Sequence, residues 1–431
     1  MDKSVNIITE DELTSLMKQR DYGMWRVQVT TEYRKKQLNA KTLDEYYSIP
    51  TPRIYGVSPS VFKRRTEDYD MHNLVDCHVD MYCRGYAIIQ EGRIVCRYGN
   101  LDSVIFSHLY RGEKTIYPNV CTSTLGRDCA RLAHKTKEMA FLEFILGQMR
   151  IALFFNFISR FKEYTDYPLS TQLPHVIAQH YGLSTQYLDL TDDIKVALFF
   201  ACCKFDRKNH TYMPIDSSDL NNLGNYAVLY CGIEDNRSTS VIGYQPFTRC
   251  FKQRGYYIDT AHNGPCWEYS IQKNNGFTKS IFDRKPQLCR QIYDEFSGGE
   301  ILFPKDSLFE FDNVIEKIKH TKSFPTELFE GVIPLVEYYL EKYSLSDVRC
   351  GLPTKDWLFH KFKDLGVEII DKIPDYLSNL DVERFNTNWD VRKYKKENDI
   401  IAWGRESEVM PGGGFAWSIP SQHSGIDMCK F

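Results

Sequence analysis

Residues 178–201 constrain this chain more than any other stretch, because two helical patterns and an extended one are packed into a single short run. A helical run ends at Tyr181-Gly182, where glycine suits the left-handed cap that stops a helix. Residues 183–190 then form a short extended piece carrying Thr185, Gln186 and Asp189. Thr191 stands where an N-cap would, Asp192 and Asp193 favour the positive end of a helix, and Ile194, Ala197, Leu198 and Ala201 recur at helical spacing. The pattern predicts a helix over 192–204. A strand end rich in hydrogen-bonding side chains would then lie beside a helix N-terminus, a corner whose free N–H groups can hold an anion. The competing local explanation is that Thr191 only caps and Asp189 only ties down its own turn.

The 431 residues are enough for about two to three domains. Residues 1–102 read as a mixed region ending in a hairpin, with strands at 87–90 and 93–97 around Glu91-Gly92. Residues 103–312 alternate long helix, loop and strand. Residues 313–431 are mainly helical, notably at 333–343 and 357–372, with a loose tail around Gly412, Gly413 and Gly414. Within the middle region a helix is expected over 138–164, a strand over 227–230, and surface loops over 206–222 and 261–278. The greasiest run, 139–158, is interrupted by Glu143, Gln148, Arg150 and Asn156. An Arg near a bilayer centre costs roughly 2.5–3.5 kcal/mol, so this run reads as the core helix of a soluble protein, with no membrane partner. The expected class is α+β, a mixed α/β core with flanking helices.

Lys plus Arg number 54 and Asp plus Glu 57, a formal charge of −3, so no global field favours coating nucleic acid. Basic clusters at Arg34, Lys35 and Lys36 and at Lys63, Arg64 and Arg65 are usually solvated faces, and leave nucleic acid open as a partner. The 13 cysteines are odd in number, include no Cys-x-x-Cys, and place Cys202 next to Cys203. They read as reduced thiols in a cytoplasmic protein, and the opening residues lack the apolar core of a signal peptide. No metal site is expected, since no zinc-ligand spacing occurs and His175 and His180 lie five apart.

Tyr110-Arg111-Gly112, then Ser123 with Arg127, then Glu138, then the block from Gln179-His180-Tyr181-Gly182 to Ala201 together resemble the FRG domain family, named for its Phe/Tyr-Arg-Gly motif. Later pieces also match: Arg249, Gln253, Gly255 and Tyr257 in an Arg-x-x-x-Gln-x-Gly-x-aromatic pattern, and Ile301 to Pro304 as an apolar-Leu-Phe-Pro segment. Ser184, Gln186 and Leu190 stand where the family usually has Pro, Arg and Trp, and the Arg missing at Gln186 is the one that bears on a second cationic contact. Arg84 in Cys83-Arg84-Gly85 lacks the downstream elements and is assigned an ordinary structural role. The domain is expected over 103–312.

The layout resembles, more distantly, that of ADP-ribosyltransferases, with their split sheet. That resemblance implies NAD as a substrate, a dinucleotide ligand, and either a transferase or a glycohydrolase activity. It implies catalytic roles for Arg111, Thr185 and either Gln253 or Glu300, the last on a strand, and ligand contacts from Tyr110, Gly112, Ser184, Gln186, Asp189 and Thr191. Cleavage of the nicotinamide–ribose bond passes through an oxocarbenium-like state, as glycoside hydrolysis does. An Arg fork suits pyrophosphate, and a carboxylate or amide accepting from the ribose 2′-OH stabilises developing positive charge. Tyr187, Tyr256 or Tyr257 could stack on nicotinamide. A structural alternative pairs Arg111 with Glu138 or Asp189. The rival function is a non-catalytic module binding a nucleotide, a nucleic acid or an unknown macromolecular partner, in a toxin or defence setting.

Overall fold

The computed structural model describes residues 6–18, 108–117, 121–166, 174–206, 211–233, 239–243, 245–390 and 393, with the backbone of strands 54–57, 75–80, 85–90 and 93–98. Seven strands make a mixed sheet: β1 (Asn6–Ile8), β2 (His108–Glu113), β3 (Tyr187–Thr191), β4 (Tyr226–Ile233), β5 (Thr239–Val241), β6 (Gly255–Asp259) and β7 (Thr278–Asp283). Their order is β1-β7-β4-β2-β3-β6-β5, with β1 parallel to β7 and every other pair antiparallel. Helices flank it, so the fold is mixed α/β.

β4 shows why the sheet is buried on both faces. Ala227 and Leu229 join one apolar cluster, and Val228 and Tyr230 join another, as the two-residue repeat of a strand requires. Helix α1 (Glu10–Lys18) supplies Leu13 to the first cluster. Helix α2 (Thr124–Ala133) and helix α3 (Lys137–Ile158) belong to a third, larger core. Helix α3 is long and apolar enough to cross a membrane, but 72% of its most apolar window is buried inside the fold. Helix α4 (Pro174–His180) joins the same core, and helix α5 (Ile194–Cys202) packs on the sheet beside β2. Helices α6 (Arg249–Lys252), α7 (Pro286–Glu295), α8 (Asp312–His320), α9 (Thr326–Lys342) and α10 (Thr354–Asp364) follow. Ile315, Val336 and Trp357 from the last three pack around Phe141, Phe144 and Phe157 of α3, so one apolar core draws on both sides of residue 313.

Several expectations shift for physical reasons. The helix foreseen over 138–164 breaks into α3 and a short helix at Lys162–Thr165. At the break the Ser159 hydroxyl donates to the Asn156 carbonyl at 2.9 Å, competing with the backbone. The stretch foreseen as a loop over 206–222 holds a strand, Thr211–Pro214, paired with Cys203–Asp206, and a helix, Ser217–Leu223. Its polar residues do capping work: Asp216 and Asp219 satisfy each other's backbone N–H groups reciprocally. The helix expected over 357–372 ends at Asp364, because Gly366 turns left-handed, and strand Glu368–Ile370 follows. The loop over 261–278 separates β6 and β7 as expected, apart from the short helix Ile271–Asn275. The hairpin is present as Gly85–Gln90 and Arg93–Tyr98, with Gln90 opposite Arg93. Arg84, the basic clusters at 34–36 and 63–65 and the glycine-rich tail lie outside the described residues.

Candidate functional site

The sheet has a weak seam. β2 pairs with β4 along its whole length, but with β3 only where Tyr110 faces Thr191. Beside that pair lies a cleft of about 450 Å³, lined among others by Tyr110, Arg111, Asp189 and Thr191. Arg111 spans the seam: its Nη1 donates to the Asp189 carbonyl at 2.9 Å, and its Nε to Glu113 Oε1 at 3.3 Å. Burial opposes the Arg111 charge, yet Cys121, Glu113 and Asp189 beside it hold the guanidinium above its ordinary value. The nearby Cys121 thiol, pushed up to about 12 by burial, stays neutral and donates to Glu113. The ion-pair partner of Arg111 is thus Glu113, while Glu138 Oε1 lies 3.0 Å from Lys361 Nζ in an ion pair of its own.

Gly112 lines the cleft, but its want of a side chain serves packing: a Cβ there would sit 1.8 Å from the Ala197 carbonyl oxygen on α5. The N-terminus of α5 is not open to an anion. Asp193 caps it, accepting from Lys195 N at 2.9 Å, and Asp192 and Asp193 together hold Arg254. Thr191 is the last strand residue and not the cap. Its hydroxyl donates to the Gln253 carbonyl at 3.1 Å and accepts from Asp193 N at 3.2 Å.

The floor of the cleft is built around a residue that the motif reading left without a role, His180. Gly182 at φ +85° ends α4 in the expected left-handed turn, and this fixes the strand entry that brings Asp189 opposite His180. Arg249 Nη1 donates to the His180 carbonyl at 3.1 Å, with its guanidinium 4.0 Å from the centre of the Tyr181 ring. Gln253 Nε2 donates to the Leu302 carbonyl at 3.1 Å, and its Oε1 lies 2.9 Å from His180 Nδ1. The Arg-x-x-x-Gln pattern therefore grips His180 by its backbone and its ring. Gln253 lines the cleft with both ends of its amide already engaged. Gln179 Nε2 donates to Asp189 Oδ2 at 3.1 Å and its Oε1 accepts from the Thr185 hydroxyl at 2.5 Å.

Other expected residues are elsewhere. Thr185 is fully buried beneath Gln179 and does not line the cleft. Ser184 donates to Asp128 Oδ2 at 3.1 Å. Gln186 is buried, accepting from Gln148 Nε2 at 2.7 Å and donating to Asp259 Oδ1 at 3.3 Å. Glu300 is exposed and follows the 3-10 turn Ser297–Gly299, so it sits in a turn and on no strand, away from the cleft lining. Tyr187 and Tyr257 pack edge-to-face on each other and Tyr256 is in the core, so none of the three lines the cleft. The aromatic wall is instead Tyr110, Tyr117, Phe200, Tyr212 and Phe303, the last two stacked at 4.6 Å. His180 was legible beside Gln179 in residues 178–201. Tyr110 was legible in the Tyr-Arg-Gly motif, but the rest of the wall was not, because Tyr212 and Phe303 come from the segment expected as loop and from the apolar-Leu-Phe-Pro piece.

Cationic groups complete the lining. Arg127 donates to the Thr122 carbonyl and the Thr124 hydroxyl, both uncharged, and its guanidinium is pulled below its ordinary value by burial and by repulsion from Arg111. Burial and the charge of Arg284 likewise depress Lys114.

Residues 107–210 match the family model of the FRG domain, so the chain carries an FRG domain there; the match ends before Arg249 and Gln253. No curated protein matches the chain, and no solved structure matches it, so the expected likeness to ADP-ribosyltransferases gains no support from them.

Proposed function

We propose, taking the FRG domain of residues 107–210 as the premise, that the cleft at the β2–β3 seam binds a dinucleotide such as NAD and cleaves or transfers at its nicotinamide–ribose bond. The observation that carries this is the convergence of Arg111, Asp189 and an aromatic wall on one hollow of about 450 Å³, within the usual size range of small-molecule sites. Arg111, Lys114 and Arg127 face it against the carboxylates of Glu113 and Asp189. The mutual repulsion of Arg111 and Arg127 would be relieved by an anion between them, which suits a pyrophosphate. Tyr212 and Phe303 offer a stacked surface for a base or nicotinamide. Asp189, with a side chain 33% exposed, can face developing positive charge on ribose. In this reading it takes the third role for which Gln253 and Glu300 were candidates, and Thr185, Ser184 and Gln186 support the floor from behind.

The nine free cysteines among the described residues suit a reduced, cytoplasmic setting. One observation favours a non-catalytic alternative: Arg111 is already tied to Glu113 and to the Asp189 backbone, as a structural clamp would be. The alternative module would bind a nucleotide, a nucleic acid or a protein without turnover. The test is nicotinamide release from NAD by the purified chain and by Arg111→Ala. Release lost in the variant supports the enzyme. No release, with no thermal shift on adding ADP-ribose, rejects both the enzyme and the nucleotide site.

A further inference from the structure

Two polar atoms at the cleft floor face each other directly. His180 Nε2 and Asp189 Oδ1 lie 3.7 Å apart, both are shielded from solvent, and neither has a hydrogen-bond partner among the described residues. Leaving two acceptors in that position costs free energy unless a proton can occupy the gap.

The neighbours fix which acceptor is which. The Leu302 carbonyl can only accept, so the NH2 end of Gln253 must face it and the amide oxygen must face His180. Nδ1 of His180 therefore carries a hydrogen, and in the neutral ring Nε2 holds the lone pair. Burial lowers His180 below its ordinary value, and Arg249 adds to this, while Asp189 and the Gln253 hydrogen bond oppose it. Among the described residues, the charged groups that act on the ring are Asp189 from β3 and Arg249 from α6, the latter with Asp306 nearby on Tyr181. The His180 side chain is 3% exposed and that of Asp189 is 33% exposed, so the carboxylate stands in front and the imidazole behind.

We propose that His180 and Asp189 form a proton-relay pair, in which Asp189 meets the ligand and His180 Nε2 takes up the proton behind it. Gln253 is a positioning residue that sets the tautomer, and His180 acts through Asp189. This rests on the nucleotide reading for the reaction it serves. There the ribose C1′–N bond breaks with its electron pair leaving on the nicotinamide nitrogen. Water or an acceptor hydroxyl forms the new C1′–O bond, and its proton passes to Asp189 and on to His180 Nε2. The resulting imidazolium faces a carboxylate until the proton returns to solvent. The acceptor class that fits is an O–H group. A cationic acceptor would enter a cleft already lined by Arg111, Lys114 and Arg127.

The test begins on the free full-length chain, labelled with 15N-histidine, where His180 is assigned by the signal lost in His180→Gln. Should that variant not fold, the Nδ1 shift in Gln253→Ala identifies it. The expected state at neutral pH has Nδ1 protonated and Nε2 bare, and Asp189→Asn moves the titration to lower pH because a favourable negative charge is gone. An Nε2-protonated tautomer, or a titration unmoved by Asp189→Asn, overturns the pair. In turnover, the acid limb of kcat should track the His180 titration, and Gln253→Glu should raise both midpoints together with KM nearly constant. A rate limb that stays put while the ring's titration moves also overturns it. Failure to bind ADP-ribose rejects only the nucleotide reading, because tautomer and shift are read without ligand.

Discussion

The Arg111 guanidinium donates to the backbone carbonyl of Asp189 at 2.9 Å, across the seam where the ladder between β2 and β3 stops after a single residue pair. A side chain thus replaces the missing ladder bond, and the gap left by that missing bond opens the cleft. This makes Arg111 both a strut and a wall. Arg111→Ala should lower stability by about 1.5–3 kcal/mol, the usual cost of losing a charged hydrogen bond, and should leave the Cys121 thiol as the one side-chain hydrogen-bond donor to the Glu113 carboxylate among the described residues. ADP-ribose affinity should fall by roughly tenfold or more. Urea denaturation and titration calorimetry read the two effects separately. Arg111→Lys should recover part of the stability but little of the affinity, since an ammonium cannot bridge two oxygens in the same plane.

Gly112→Ala should damage the fold itself. Its new Cβ would lie 1.8 Å from the Ala197 carbonyl, a backbone atom of α5 that cannot swing aside. A loss of about 3 kcal/mol or more is expected, with the protein recovered mainly insoluble. A variant of ordinary stability would mean that β2 and α5 do not approach so closely.

Glu300→Gln should be silent. The residue is exposed in a turn outside the cleft, so stability should change by less than about 0.5 kcal/mol and ligand affinity not at all. A drop in nicotinamide release with unchanged folding would restore Glu300 to the chemistry.

Stability should fall on mild acidification. Burial pushes His175, packed against the edge of Tyr187, down to about 4. In the unfolded chain a histidine titrates near 6.5, so between these values the unfolded state binds more protons and stability drops as pH falls from about 6.5 to about 4. The loss is at most on the order of 3 kcal/mol, and His180 contributes in the same direction. Urea midpoints at several pH values for the native chain and His175→Gln check it: the variant's profile should be flatter over that window.

What the residues disclosed depended on how local each signal was. Gly182 announced its left-handed turn, the hairpin announced its strands, and α3 announced its burial as the most apolar run of the chain, broken by too many polar residues to suit a bilayer. Asp192, Asp193 and Thr191 were harder. All three are good caps; Asp193 takes the cap by accepting from Lys195 N, while Thr191 turns its hydroxyl to the Gln253 carbonyl and Arg254, 61 to 62 positions later in the chain, holds both carboxylates. Gln253 looked like a reacting group from its motif, yet its amide is occupied by Leu302 and His180, contacts that no spacing encodes. The β2–β3 seam could not be foreseen either, because sheet order is set by long-range pairing and not by the pattern of any one strand.

The most direct test of the cleft is a crystal of the full chain soaked with ADP-ribose. Density is expected along the β2–β3 seam, with the pyrophosphate between Arg111 and Arg127 and a ribose hydroxyl against Asp189. Density at another surface, or a seam that stays empty at millimolar ligand, would contradict this expectation.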